Sequence, residues 1–215
     1  MSSRVDHFAK SPVGIYSLVV SLPFFPHHLS YKASIDYIAQ NLERSYVFTM
    51  VNNYPVFKPV FHLYINAENS ELVSTFETGK PGKRIFVQIH EGYCDSSDDH
   101  YPFNIKIKSG TNWLYLTPDN KLTLDVRLRA ETEDGHGVYI HYQGYTYPTP
   151  AMNAIFDGSG SAMEFGETEF FIQPTIETDA PKEGWVNNKY FVGKGRFVRN
   201  EKGVMGAEYY ISMVM

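Results

Sequence analysis

The sequence predicts an all-β protein: one antiparallel sheet closed into a barrel, with a single short helix near the start. Three observations predict it. Apolar residues alternate with period two in short segments from residue 46 to the end. Gly, Pro, Asn and Asp punctuate these segments at close spacing. Only one stretch carries a helical period. At 215 residues the chain suits one domain, and it can bury enough apolar surface to need no metal or disulfide staple. A two-sheet sandwich is the alternative architecture.

The elements follow in order. Residues 1–52 read differently from the rest and form an N-terminal extension. Within it, residues 14–22 read as a strand, ended by Pro23 and Pro26. Residues 30–44 carry Tyr31, Ile35, Ile38 and Leu42 on one helical face, with Ser30 as N-cap. Strands are expected at 46–52, 56–67, 84–93, 104–108, 112–117, 121–132, 137–145, 168–177, 189–199 and 207–214. Pro59 demotes the start of the second of these to an edge or a bulge. Ser109-Gly110, Thr117 to Asn120 and Glu133 to Gly135 read as turns. Residues 147–166, with two prolines and several glycines, read as the longest irregular segment and a lid or mouth loop. No fixed-period repeat exists, which excludes propellers and solenoids.

Composition bounds the function. The net charge is −5, so the chain lacks the basic field that a sequence-independent nucleic-acid binder needs. The one cysteine, Cys94, permits no intrachain disulfide, and no Asn-x-Ser/Thr triplet occurs. The first apolar run, residues 15–25, is too short to span a bilayer. A reducing cytoplasmic location is the expectation. The eight histidines show no HExxH, HxH or Cys–His spacing, so neither a metal nor a cofactor is expected. No nucleophile elbow, phosphate loop or kinase signature is present.

Aromatic residues make up 15% of the chain, and aromatics build both cores and ligand cavities. In residues 121–132 one face carries Leu122, Leu124, Val126, Leu128 and Ala130. The other carries Thr123, Asp125, Arg127, Arg129 and Glu131. Apolar inside and salt-bridged outside is one reading. The other puts Asp125 and Arg127 into a polar cavity, where the guanidinium binds a carbonyl or enolate oxygen and Asp125 orients it. On the next strand Tyr139, His141 and Gln143 share a face, which makes His141 the candidate general acid or base. Glu169, Phe171 and Gln173 share a face near the C-terminus, as do Glu208, Tyr210 and Ser212. Gly193 and Gly195 mark a bulge or a close backbone approach.

The stretches NWLYLTPDNKLTLDVRLRAETEDGHGVYIHYQGY and PTIETDAPKEGWVNNKYFVGKG resemble the DUF3237-type β-barrel family, proteins of bacteria and fungi. The family's motifs fall on Trp113, Asp119, Asp125, Arg127, Thr132, Asp134, Gly135, Tyr139, Glu177, Thr178, Trp185, Asn187, Phe191, Gly193 and Gly195. Asn120, Ile176, Asp179 and Val186 depart mildly from them. The resemblance spans residues 56–214 and implies a calycin-like barrel. Similar in type and size are fungal natural-product cyclases of the hetero-Diels–Alderase kind.

The expected protein is a cofactor-independent enzyme of secondary metabolism that binds an aromatic or apolar metabolite and promotes its cyclisation, isomerisation or dehydration. A non-catalytic carrier is the alternative. Arg127, Asp125, His141 and Tyr139 are the expected catalytic residues. Trp113, Trp185, Asn187, Phe171, Tyr210 and Glu169 are the expected substrate-binding residues. The expected partner is a small aromatic, terpenoid-like metabolite, with no nucleic acid and no membrane; a homo-oligomer is compatible with the sequence.

Overall fold

The computed structural model describes residues 54–76 and 81–215. Eight described strands run in chain order: β1 (Phe57–Phe76), β2 (Gly82–Ser96), β3 (Asn104–Leu116), β4 (Leu122–Thr132), β5 (Gly137–Thr146), β6 (Phe171–Thr178), β7 (Phe191–Arg199) and β8 (Met205–Val214). Each pairs antiparallel with its neighbours in sequence, and β1 also pairs with β8, so the sheet closes into a barrel rather than a sandwich. The expected elements at 14–22, 30–44 and 46–52 lie outside the described residues.

Strand β4 shows why the sheet closes. Leu122, Leu124, Val126, Leu128 and Ala130 are at most 3% exposed, while Arg127 and Arg129 face out. Burying each Leu or Val contributes about 1.5–3 kcal/mol, and a one-residue slip would turn the whole set to water. Strand β5 repeats the pattern with Val138, Ile140 and Tyr142 inside.

Two expectations need correction. The Ser109-Gly110 pair is not a turn: β3 runs unbroken through it, with a register shift against β4 between Ile107 and Ser109. A Cβ on Gly110 would stand 2.6 Å from the Arg127 carbonyl oxygen and 2.5 Å from Leu128 Cδ2, so the glycine serves close strand approach. The bulge changes which parity faces in. Ile105 and Ile107 are buried before it, Asn112 and Leu114 after it, and Trp113 is turned outward. The second correction concerns residues 147–166. They contain the helix α1 (Pro150–Asp157), with the Thr149 hydroxyl accepting from the Met152 N–H, Pro150 at the first turn and Gly158 in left-handed conformation at its end. Periodicity alone missed a helix of only 8 residues.

Other local expectations hold. Pro59 sits at a register shift between β1 and β8. A Cβ on Gly195 would stand 2.6 Å from the Tyr209 ring, so this glycine also marks a close approach.

The two barrel ends differ. At the end where β1 begins, Phe61, Phe103, Trp185 and Phe191 pack ring against ring, with centroids 4.8–6.3 Å apart, and plug the interior. The other end carries the β1–β2, β3–β4 and β7–β8 connections and α1. Among the described residues, none fills its interior. On the barrel wall, β6 and β7 meet through only Phe171↔Lys194 and Ile172↔Gly193, the thinnest seam in the described sheet.

Candidate functional site

The open end holds a cavity of about 620 Å³, lined by inward residues of β1, β2, β3, β7 and β8. Ile65, Val87, Ile89, Leu114, Ala207 and Phe197 give it an apolar wall. Its volume lies in the range of small-molecule sites, roughly 300–1,000 Å³. Phe156, carried by α1, forms part of the rim and stacks edge-on against Phe197 at 5.2 Å. Met152 and Ile155 of the same helix are fully buried, which fixes α1 over the barrel end. Residues 147–166 do contribute to the mouth, through Phe156.

Among the described residues, the polar side chains that line this space are Asn112, Tyr209, Arg199 and Lys202. Asn112 is 7% exposed, and its Oδ1 accepts the backbone N–H of Asp125 at 3.3 Å. Tyr209 reaches the cavity from β8, with its ring T-shaped on the buried Tyr142 at 5.4 Å. Burial pushes both phenols above the usual tyrosine range, so they stay neutral donors at ordinary pH. At the rim stand Lys202 and Arg199. Arg199 donates to the carbonyls of Ile155, Phe156 and Gly203 and so serves the structure of the mouth.

The expected catalytic residues do gather, but on the outer wall. Asp125 Oδ1 accepts from Arg127 Nη1 at 2.8 Å and stands 3.1 Å from His141 Nε2. Tyr139 lies beside His141, with ring centroids 6.5 Å apart. The Arg127 side chain is 48% exposed, and its hydrogen bond to Asp125 raises its pKa further. The expectation of a polar cavity around Asp125 and Arg127 is therefore corrected. Period two turns the apolar set of β4 and β5 inward and these four side chains outward.

The expected binding residues are dispersed. Trp113 packs on Phe86 outside the barrel at 5.0 Å. Trp185 belongs to the aromatic plug, its indole N–H donating to the Pro102 carbonyl. Asn187 is a clamp: its Oδ1 accepts the Thr178 N–H and its Nδ2 donates to the Thr178 carbonyl. Phe171 and Glu169 lie outside with Tyr145, whose hydroxyl donates to Glu169. Tyr210 lies outside too, stacked on His62 at 4.9 Å. Residues the sequence reading passed over line the cavity instead: Asn112, Phe156, Met205 and Tyr209.

A second polar cluster decorates the outer wall of β1, β7 and β8. Glu208 accepts from Arg196 Nε at 2.6 Å and pairs with His62 Nε2 at 2.7 Å, under Tyr210 and Phe165. Among the described residues, no three His, Cys, Asp or Glu side chains converge so as to hold a metal ion. Among the same residues, no helix is long and apolar enough to cross a membrane.

The profile of the family described as "Protein of unknown function (DUF3237)" matches residues 55–214. A UPF0311 protein of Clostridium acetobutylicum is 28% identical over 138 residues, covering 63% of this chain and 82% of its own. A conserved protein of unknown function from Rhodopseudomonas palustris superposes with a TM-score of 0.63 at 19% identity, over 76% of this chain and 100% of that one. A β-barrel-like protein from Acinetobacter baumannii gives a TM-score of 0.57 at 20% identity, over 75% and 97%. At these identities the structural likenesses speak for the barrel alone.

Proposed function

The chain belongs to the DUF3237 family, and we propose that its barrel binds one aromatic or otherwise apolar metabolite in the mouth cavity and promotes a ring closure there without a cofactor. The observation that carries this reading is the cavity of about 620 Å³ in a barrel whose opposite end is packed with aromatic rings. A protein that used its barrel only as a folding core would gain by filling that volume, since each unfilled methyl-sized void costs about 1 kcal/mol.

The cavity chemistry favours positioning over acid–base transfer. Its lining sets an apolar wall of Ile65, Val87, Ile89 and Leu114 beside Asn112, Tyr209 and, at the rim, Lys202 and Arg199; the buried phenols stay protonated and Arg199 is engaged with carbonyls. A cycloaddition suits such a site. A hetero-diene and an alkene combine by forming one C–C and one C–O bond, with no leaving group and no proton to move. Holding two partners in reacting geometry is worth up to about 7–11 kcal/mol. The same scarcity of titrating groups supports a second reading, a carrier that binds and shields the metabolite. A cytoplasmic setting is part of the proposal.

Binding is tested with N-phenyl-1-naphthylamine, whose fluorescence rises in apolar surroundings. One saturable site is expected, weakened at least tenfold by Met205→Trp at the rim and unchanged by Arg127→Met on the outer wall. No binding by the wild type, or equal effects of the two variants, would overturn the cavity reading. Catalysis is tested by mixing substoichiometric protein with an ortho-quinone methide from a tropolone-type precursor and a terpene alkene. An enzyme gives many turnovers and a product stereochemistry unlike the background, whereas a carrier leaves the background stereochemistry.

A further inference from the structure

Asn112 is only half satisfied. Its neighbours across the sheet are Val87 on β2 and Val126 on β4, both inward and buried. Its Oδ1 is fixed by the Asp125 N–H. Among the described residues none accepts a hydrogen bond from its Nδ2, and the side chain lines the cavity at 7% exposure. The Nδ2 is not sealed away from the cavity that Asn112 lines, so its donor is available to whatever fills that space. The position is also structurally deliberate. Only the bulge after Ile107 turns Asn112 inward; an unbroken alternation would have presented Trp113 instead.

We infer that Asn112 Nδ2 is the polar anchor of the cavity and determines which ligands it takes: apolar molecules that carry a carbonyl or phenolic oxygen, in preference to hydrocarbons of the same shape. The inference rests on the proposed binding in the same cavity and adds the ligand class to it. A site built to donate to an oxygen rejects the analogue lacking it, because the donor is then left dry and unpaired. The tied Oδ1 holds the amide plane, so the donor direction is set before a ligand arrives. For a hetero-diene ligand the same hydrogen bond would lie on the carbonyl oxygen that becomes the new C–O bond's oxygen, polarising it toward the alkene.

The test uses 2-acetylnaphthalene and its planar hydrocarbon isostere 2-isopropenylnaphthalene, each displacing N-phenyl-1-naphthylamine from the full chain. The wild type should take the ketone at least tenfold more tightly than the alkene. Asn112→Leu should bring that ratio to about one while alkene binding is kept. Asn112→Asp, which retains an acceptor for the Asp125 N–H, should lose the ketone preference as well, separating the anchor from a structural role. The side-chain amide cross-peak of Asn112 in 15N-labelled wild type should move with the ketone and stay with the alkene. Equal binding of the two probes by the wild type, or an Asn112 cross-peak that ignores the ketone, would overturn the anchor and leave the binding cavity standing. Failure of N-phenyl-1-naphthylamine and both probes to bind would overturn the cavity and the anchor together.

Discussion

Arg199 Nε donates to the Ile155 carbonyl at 2.7 Å, joining the end of β7 to the last turn of α1. Its Nη2 reaches the Phe156 carbonyl at 3.3 Å and its Nη1 the Gly203 carbonyl in the β7–β8 turn. A guanidinium at a helix C-terminus meets carbonyls that lack intrahelical partners and the negative end of the helix dipole. Phe156 forms the rim of the cavity, so this arginine holds the mouth in shape. Arg199→Met keeps the bulk and removes the donors. It should cost about 1–3 kcal/mol of stability, speed probe release, and expose residues 147–170 to protease. Unchanged proteolysis and release would show that α1 is held by Met152 and Ile155 alone.

The bulge in β3 makes a second prediction. Deleting Ser109 removes the extra residue, so simple alternation from Ile107 should still present Asn112 and Leu114 inward and Trp113 outward. Tryptophan emission and probe binding should stay close to the wild type; a blue-shifted emission with loss of the probe would show that β3 keeps a bulge after the deletion and turns Trp113 in. Gly110→Ala is the milder change: its Cβ meets the Arg127 carbonyl oxygen at 2.6 Å, and such overpacking costs about 1–3 kcal/mol. A Gly110→Ala protein as stable as the wild type would show that the strands can separate at this point.

These positions also show how far the sequence could be read. Closure into an antiparallel barrel was legible because β4 and β5 alternate without interruption over 11 and 10 residues. The bulge was legible only in part. Ile105 and Ile107 are odd while Leu114 and Leu116 are even, and that parity change across Ser109-Gly110 fits either a turn or an inserted residue. Reading it as a turn hid Asn112. The helix α1 was hidden because two turns carry too little periodicity, although Thr149-Pro150 and Gly158 were cap signals in plain view. For β4 two faces were legible but not which of them points inward. A salt-bridged row of Asp, Arg and His looks the same whether it meets solvent or a ligand, and the burial of the opposite face decided it.

Arg127→Met and His141→Ala address that row. Both side chains reach Asp125 from the outer wall, with Arg127 48% and His141 29% exposed. Exposed pairs of this kind contribute little. Neither change should alter the melting temperature or probe affinity measurably. Loss of binding in either variant, with the fold intact by circular dichroism, would move the functional site from the mouth to the outer wall.

Trp185 separates plug from pocket. Its ring packs on Phe61 at 5.6 Å and Tyr101 at 5.2 Å, at the end of the barrel away from the cavity. Trp185→Ala should cost about 3–5 kcal/mol of stability, as large aromatic truncations in packed sites do. Below its melting temperature the variant should bind the naphthylamine probe as the wild type does. A variant that folds but has lost the probe would place a ligand surface at the plug.

The buried phenols set the response to alkali. Tyr142 and Tyr209 are 0% and 1% exposed, and desolvation raises both pKa values above the ordinary tyrosine value of 10.0. A raised folded-state pKa means that the folded chain keeps a proton which the unfolded chain gives up. The stabilisation from these groups is therefore fully present below about pH 10 and is lost as pH climbs from there toward the folded-state values. Each phenol that stays protonated in the fold should steepen the fall by about 1.4 kcal/mol per pH unit above pH 10. Urea unfolding of wild type and Tyr142→Phe from pH 8 to 11 reads this directly. The two stabilities should run parallel to about pH 10, after which the variant should fall less steeply because one proton no longer separates its folded and unfolded states. Tyr64 and Tyr93, also shifted upward, are common to both proteins and cancel in the difference. Curves that stay parallel to pH 11 would mean that the Tyr142 hydroxyl ionises within the fold, and that the interior beside the cavity is wetter than its apolar lining implies.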